Sequence, residues 1–566
     1  MTTPGVEPVR TPSDSEGMSR FRAAVVLFAV VVLHAAVASW WMHDQGFLQR
    51  PAPPEAATQQ REAADYAVRI AEDGVFAVAF EAWTATSHHT QLVPVTAGAL
   101  GALVGDRAVG PVTQWTYGAL WGVVLAVGAY RLARRFMSRG AAILAAALFL
   151  WAPAVHAYQR VFYWQYPMTA LLPLALRALI DADGFRRWRP AAAFGAFLGL
   201  ATLAKNIAPM YVVGSCVVAM LGLQRRPRTV GDGARVAGMA GVPGEAGPRR
   251  RAVGIIAASA TFALLVGPWF VRSCGVFLTY ADAALKTNET HRQDLVDRFS
   301  AERWLYYLQH FVESGIGPVL AFAAVLGAAS LLLFRRRERA AGESVLPRGT
   351  VVGLGLDAVF VYALTTFGQA AGASQYLQFL ACPVAMIAAA ACDRPASAFR
   401  RRTAMSAAAL SLGYMLWTDL RSFDDDAPVA NYGGLTIGAT IDHWAGKHAR
   451  EGKAVPRPEA EAWPIDAFAE ALAAAASDGR AVYVELHPYV NHAHLATALR
   501  GRVDLELRTV QSMVPGAYFT LDPAVHPPEF VASILKLAGW TFEDVATAEL
   551  WPGRTLRLCR IVLLPR

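Results

Sequence analysis

Long apolar runs recur along this chain, and the connections between them carry short arginine clusters on every second turn. A run of about twenty apolar residues matches the hydrocarbon thickness of a bilayer, so repeated runs force a bundle of spanning helices. Only 17% of the 566 residues are charged and the mean hydropathy is +0.31. A soluble domain usually carries about 25% charge. The pattern predicts a polytopic α-helical membrane protein with about eleven spans.

Span 1 is placed at Arg22 to Met42, too long for a removable signal peptide and without a cleavage pattern. Span 2 covers Val109 to Tyr130 and is followed by Arg131, Arg134, Arg135 and Arg139. Span 3 covers Gly140 to Val155 and span 4 Val161 to Ile180, before Arg186, Arg187 and Arg189. Spans 5 and 6 flank Lys205-Asn206, and span 7 covers Ala252 to Phe270. Span 8 ends at Phe334, before Arg335 to Arg337; spans 9 and 10 flank Gly368 to Ser374; span 11 covers Ala404 to Leu420. With this count, the arginine-rich loops all fall on one side, which the positive-inside rule makes cytoplasmic. The expected layout is a cytoplasmic tail at 1–21, a membrane domain at 22–423 and an exterior domain at 424–566. Two outer loops, 43–108 and 272–313, interrupt the membrane domain. The expected setting is a bacterial plasma (inner) membrane, multi-pass, with the N-terminus inside and the C-terminus outside.

The segment beyond Asp424 changes character. Ile465 to Ala476 and Glu529 to Trp540 read as helices. Val482 to Leu486, Val503 to Val510 and Leu556 to Leu564 read as strands by alternation and β-branched content. Together they predict a small α/β domain. The net charge of +8 lies in the loop clusters and sets topology, so nucleic acid is not a partner. The five cysteines have no paired spacing, which argues against a disulfide framework or a metal site.

The first outer loop gathers the acids that could work near a membrane surface. As a helix, Glu62, Asp65, Tyr66, Arg69 and Asp73 share one face, and Ala63, Ala67 and Ile70 the other. That predicts an amphipathic helix lying on the membrane with its carboxylates toward water. Asp44, at the end of span 1, is a further candidate acid. Lys205, Arg160 and Arg272 are cations at outer ends of spans. Taken singly, each is explained by snorkelling to the headgroups. As a set beside the carboxylates, they suit a lipid phosphate. Asp357, inside span 9, either pairs within the bundle or marks an ion path. His34, inside span 1, reads as a satisfied bundle histidine.

Several short motifs occur in a recognisable order. They are Glu62-Ala63-Ala64-Asp65-Tyr66-Ala67, the Pro-containing stretch His89 to Leu103 before Gly105-Asp106, and Leu132-Ala133-Arg134-Arg135. Gly199 to Lys205, Pro268-Trp269-Phe270-Val271-Arg272 and Ser374-Gln375-Tyr376-Leu377 follow. In this order the chain resembles the GT-C membrane glycosyltransferases, among them family 39 and the aminoarabinose transferase-like group. It departs from their pattern at Glu62, where an Asp is usual, at Ala63, at Gln165, near an expected acid, and at Gln375, near an expected Arg.

The resemblance implies an enzyme that moves a sugar from a polyprenyl-phosphate donor to a cell-envelope acceptor on the outer face, with inversion. Glu62 or Asp65, with Asp44 in reserve, would take the acceptor's proton. The second acid could hold a divalent metal or orient the acceptor; no other cofactor is implied. Lys205, Arg160 and Arg272 would surround the lipid phosphate. A lipid or solute transporter and a catalytically inactive relative remain as rival readings. The first predicts charge near mid-bilayer and repeated helices.

Overall fold

The computed structural model describes residues 18–44, 54–85, 91–106, 109–159, 164–221, 246–290, 301, 304–305, 308, 311–340, 348–368, 378–393, 398–421, 464–476, 479–484, 495–496, 498–499, 502–508, 514–521, 523, 528–551 and 554–564. Its membrane part begins with α1 (Arg20–Asp44), followed by α2 (Pro54–Asp73), α3 (Val75–Thr84) and α4 (Leu92–Val104). Next come α5 (Pro111–Ala133), α6 (Arg139–Leu150), α7 (Pro153–Gln159), α8 (Gln165–Asp181) and α9 (Trp188–Ala204). A 3-10 turn (Ala208–Val212) leads into α10 (Val213–Met220). Then α11 (Ala246–Thr290), α12 (Pro318–Ala340), α13 (Arg348–Gly368), α14 (Ala381–Asp393) and α15 (Ala398–Arg421) complete the described bundle.

Among the described residues, two helices are long and apolar enough to cross a bilayer unaided, Arg20–Trp40 and Pro248–Val276. The expected count of about eleven is not reached by this measure, and at two of the expected spans the cause is local. Span 3 divides into α6 and α7 at Pro153, and span 6 is a 3-10 turn containing Pro209 followed by a short helix. Proline starts a helix readily but cannot continue one, so each becomes a pair of short pieces. The opposite happens at span 7. There α11 runs through Arg272 to Thr290, past the point where a loop was expected.

One end of the bundle is tied by its arginines. Asp181 ends α8 and pairs with Arg135 after α5 and, at 2.7 Å, with Arg177. Asp393 ends α14 and accepts from the Ser138 amide at 3.1 and 3.0 Å, just before α6. Arg139 donates to the Met18 carbonyl at 2.7 Å, just before α1. Five helix ends assigned to the cytoplasmic side by loop charge thus converge on one another. The helices of this bundle also cross closely. A Cβ on Gly195 would lie 2.1 Å from the Ala258 carbonyl, and one on Gly199 would lie 3.1 Å from Leu265. The two contacts advance together along both helices, so α9 and α11 run parallel. They reach Lys205 and Arg272 at similar heights, since each helix rises about 1.5 Å per residue.

The C-terminal part is a five-stranded mixed sheet in the order β2-β1-β3-β5-β4. Its elements are α16 (Ile465–Ala475), β1 (Arg480–Val484), β2 (Asp504–Arg508), β3 (Tyr518–Leu521), α17 (Pro528–Leu537), β4 (Trp540–Trp551) and β5 (Arg554–Leu563). Side chains alternate across the sheet. Tyr518, Leu556 and Leu558 pack with Phe468 and Leu472 of α16, while Phe519, Cys559 and Ile561 pack with Val531 and Leu535 of α17. The helices and three of the strands fall where the sequence places them. Strands β3 and β4 were not anticipated. The β4 sequence interleaves strand formers (Trp540, Thr541, Phe542, Val545, Thr547, Trp551) with Glu, Asp and Ala, which breaks up the alternation, and β5 pairs with it along most of its length. Gly539, at φ 73°, ends α17 and lets Trp540 begin that strand.

Candidate active site

The first outer loop folds as a helix at the expected place, but its apolar face does not lie on lipid. Ala63, Ala64 and Ala67 of α2 are buried against α4. A Cβ on Gly98 would lie 2.6 Å from the Ala63 carbonyl and 2.8 Å from the Tyr66 Cβ, so only glycine allows this crossing. The small residues of α2 are therefore a helix-packing surface, which corrects the expectation of a surface-lying helix. Gln60 Nε2 donates to the Val109 carbonyl at 2.9 Å, anchoring α2 to the entry of α5. Asp106 caps α5 by accepting from the Thr113 amide at 3.3 Å and its hydroxyl at 2.9 Å. The Gly105-Asp106 pair thus has a structural role.

This packing separates the two acids. Asp65 is exposed. Glu62 is withdrawn into the structure, and its Oε2 is buried with no hydrogen-bond partner among the described residues. Burial, reinforced by the negative charge of Asp65 and opposed by Arg61, pushes the Glu62 carboxyl up to about 7. A carboxyl in that state can take a proton near neutral pH, which a fully solvated one does poorly. The expectation that both carboxylates face water holds for Asp65 alone.

Tyr66 donates its hydroxyl to Gln91 Oε1 at 3.0 Å, and burial together with the neighbouring Glu62 raises the phenol to about 12. It therefore stays protonated and fixes the turn that carries Glu62. Arg69, on the same face, is occupied elsewhere: its Nη1 donates to Glu81 Oε1 of α3 at 3.0 Å. Helix α3 is in turn pinned to α11, where Trp83 Nε1 donates to the Leu265 carbonyl at 2.6 Å. Pro268 lies within α11 one turn beyond that contact. Ser273 adds a hydrogen bond to the Ala85 carbonyl at 3.3 Å.

Lys205 sits in the break between α9 and the 3-10 turn. Its Nζ lies 4.3 Å from the centre of the Trp164 ring, at the N-terminus of α8. Arg272 is exposed on α11 next to Ser273. The Asp44 side chain, Arg160, Gln375 and the pair His88-His89 lie outside the described residues. Among those described, no group of three or more His, Cys, Asp or Glu could hold a metal ion.

Two buried groups considered from sequence have structural partners. Asp357 of α13 accepts at 3.0 Å from the Ser215 amide, in the first turn of α10, and also bonds the Ser215 hydroxyl. It is a cap supplied from a neighbouring helix. Of the two readings open from sequence, this is the pairing within the bundle. His34 packs edge-on to Trp151 and lies 4.4 Å from the His156 ring centre, within the bundle as expected.

The sequence reading missed a cluster at the same end of the bundle. Tyr117 and Trp121 of α5, Gln159 of α7, and Gln165 and Tyr166 of α8 are all buried. Tyr117 and Trp121 are one helical turn apart, interleaved with Gly118 and Gly122. That spacing of aromatics against glycines was the legible signal. Gln59, one turn before Glu62, was also missed; it is buried, with neither amide atom bonded among the described residues.

The comparisons agree with this architecture. The chain superposes on ArnT from Cupriavidus metallidurans bound to undecaprenyl phosphate with a TM-score of 0.50 and 13% identity, covering 95% of this chain and 98% of that one. The Archaeoglobus fulgidus oligosaccharyltransferase gives a TM-score of 0.45 at 12% identity, covering 92% and 69% respectively. The arabinofuranosyltransferase AftD from Mycobacteria gives 0.45 at 16% identity, covering 98% and 40%. No curated protein sequence matches the chain. The likeness to ArnT is one of fold. By sequence, residues 110–240 match the family described as dolichyl-phosphate-mannose-protein mannosyltransferase.

Proposed function

We propose that this protein transfers a sugar from a polyprenyl-phosphate donor to a cell-envelope lipid, glycan or protein on the outer face of the membrane. The observation that carries the reading is Glu62: a desolvated carboxylate with an unpartnered oxygen, raised to about 7, on a helix held by packing on both sides. An acceptor hydroxyl is a weak nucleophile, and a base of this kind can remove its proton as the oxygen attacks the anomeric carbon. The bond to the donor's phosphate breaks as the new glycosidic bond forms, so the sugar inverts. Lys205, with Arg272 and Arg160, offsets the charge of the departing lipid phosphate. The undecaprenyl phosphate of the ArnT structure supports a carrier of this chemical class.

The site lies at the end of the bundle opposite the arginine-rich connections, which supports an exterior site with the N-terminus inside and the C-terminal sheet outside. The test uses purified full-length protein with labelled polyprenyl-phosphate sugars, together with mass spectrometry of envelope glycans from a deletion strain. Glu62→Gln should stop both transfer and donor cleavage while the protein stays inserted. Wild-type turnover in that variant would remove the reading.

A further inference from the structure

Helix α3 belongs to the first outer loop, yet its surface does not suit water. From Val75 to Thr84 it holds one ionisable side chain, Glu81, and Arg69 of α2 pairs with that. The apolar side chains divide between two opposite faces. Val78 and Ala82, one turn apart, are buried against the protein. Phe76 and Phe80, also one turn apart, point away from it and are 89% and 62% exposed. Neighbouring phenylalanines open to water form an unfavourable patch, whereas against acyl chains they carry no such penalty.

The depth of α3 follows from its bonds to α11. Trp83 donates to the Leu265 carbonyl, and Pro248–Val276 is long and apolar enough to cross a bilayer. At about 1.5 Å per residue, Leu265 lies about 8 Å inward of Phe270 and about 16 Å inward of Val276. Taking either residue as the edge of the apolar layer leaves the Trp83 contact inside it. Leu264 and Val271, two turns apart on one side of α11, are 67% and 79% exposed, so α3 packs beside a stripe that itself faces lipid. The Ser273 hydroxyl bonds the Ala85 carbonyl farther along α11, so the chain turns outward as it leaves α3. At the other end Gly74, with φ 85° and ψ 154°, turns the chain from α2 into α3 in a conformation that glycine adopts freely. The exposed Glu72 and Asp73 stay on the α2 side of that turn.

We propose that α3 is seated in the apolar layer of the leaflet nearest the candidate site, with acyl chains packed on Phe76 and Phe80. The helix is too short to cross, but its backbone bonds are internal, so lipid can surround its outward face. Glu81 holds Arg69, two turns after Glu62 on α2, so the leaflet and α11 together set the height of the helix that carries Glu62. The inference goes beyond the sugar-transfer reading and stands whether or not Glu62 is the base.

The experiment uses full-length protein in nanodiscs of phosphatidylethanolamine and phosphatidylglycerol, with trifluoromethyl-phenylalanine in place of Phe76 or Phe80. The same label at Leu264 is the lipid reference, and at the exposed Leu563 of the sheet the water reference. Fluorine relaxation is measured with dissolved oxygen, which concentrates among acyl chains, and with a gadolinium chelate confined to water. Oxygen should relax the labels at 76 and 80 as strongly as at 264, and the chelate effect seen at 563 should be lost at both. The replacements keep the ring on an exposed face, so the melting temperature should match the wild type. Chelate relaxation at 76 or 80 equal to that at 563 puts α3 in water and overturns the proposal. Protection from both agents reveals a protein cover, such as a second copy of the chain, and overturns it as well.

Discussion

Glu62 and Asp357 are both carboxylates withdrawn from water, and their surroundings differ in one respect. Asp357 receives the amide and hydroxyl of Ser215 and closes the first turn of α10. Glu62 lies on a helix just as firmly packed, yet its Oε2 receives nothing from the described residues. A satisfied buried acid holds helices together. An unsatisfied one keeps its capacity for a proton from outside the protein. Burial alone therefore does not mark a functional acid; on the reading proposed above, the lack of a partner among the described residues is what sets Glu62 apart from Asp357.

The strongest test of that contrast is the rate. Glu62→Gln keeps shape and hydrogen-bonding capacity but cannot accept the proton, so transfer should fall by about 10²–10⁴. The melting temperature should hold or rise, because a desolvated charge has been removed. A clear loss of stability would place Glu62 in the same class as Asp357.

Next in size is the phosphate contact. Lys205→Ala should weaken donor binding by about 1.5–3 kcal/mol, the range for hydrogen bonds to charged groups. The fold should lose little, since the lysine lies at a helix break. Equal donor affinity in wild type and variant would leave Lys205 with a packing role beside Trp164.

Asp357→Ala should do the reverse. It strands the Ser215 amide in the bundle and should cost about 1–3 kcal/mol of stability. Specific activity per folded molecule should stay near wild type, as judged by thermal melts beside turnover. A turnover defect without destabilisation would break the distinction from the other side.

The smallest effects concern pH. Turnover should fall as pH drops through about 7, where Glu62 takes up a proton. Stability runs the opposite way. The folded protein binds this proton more tightly than the unfolded chain, so the Glu62 contribution is favourable at low pH and is lost as pH rises from 4.5 to about 7. Asp65 raises the Glu62 carboxyl by its charge, so Asp65→Asn should shift the activity limb to lower pH while turnover persists. An unshifted limb would separate the two acids electrostatically, and lost turnover would make Asp65 the base.

Much of the framework is legible in the residues themselves. Apolar runs and arginine clusters are local properties, and the ends they assign to the cytoplasmic side do meet, through Arg135, Asp181, Ser138 and Asp393. The helix around Glu62 was legible from its spacing, as were α16, α17 and the three strands with the strongest alternation. Strand β4 was not, because Glu, Asp and Ala interrupt the alternation of its strand-forming residues.

The roles of the charged side chains required the third dimension. Helical spacing puts Glu62 and Asp65 on the same broad face and gives them equal standing. The folded structure withdraws Glu62 and leaves Asp65 in water. The same spacing groups Arg69 with the acids, but Glu81 on α3 claims it. The sequence by itself determined where most of the apolar helices form, because hydrophobicity acts residue by residue. Only the tertiary structure decided which polar groups find partners, because a hydrogen bond depends on what a distant segment brings within about 3 Å.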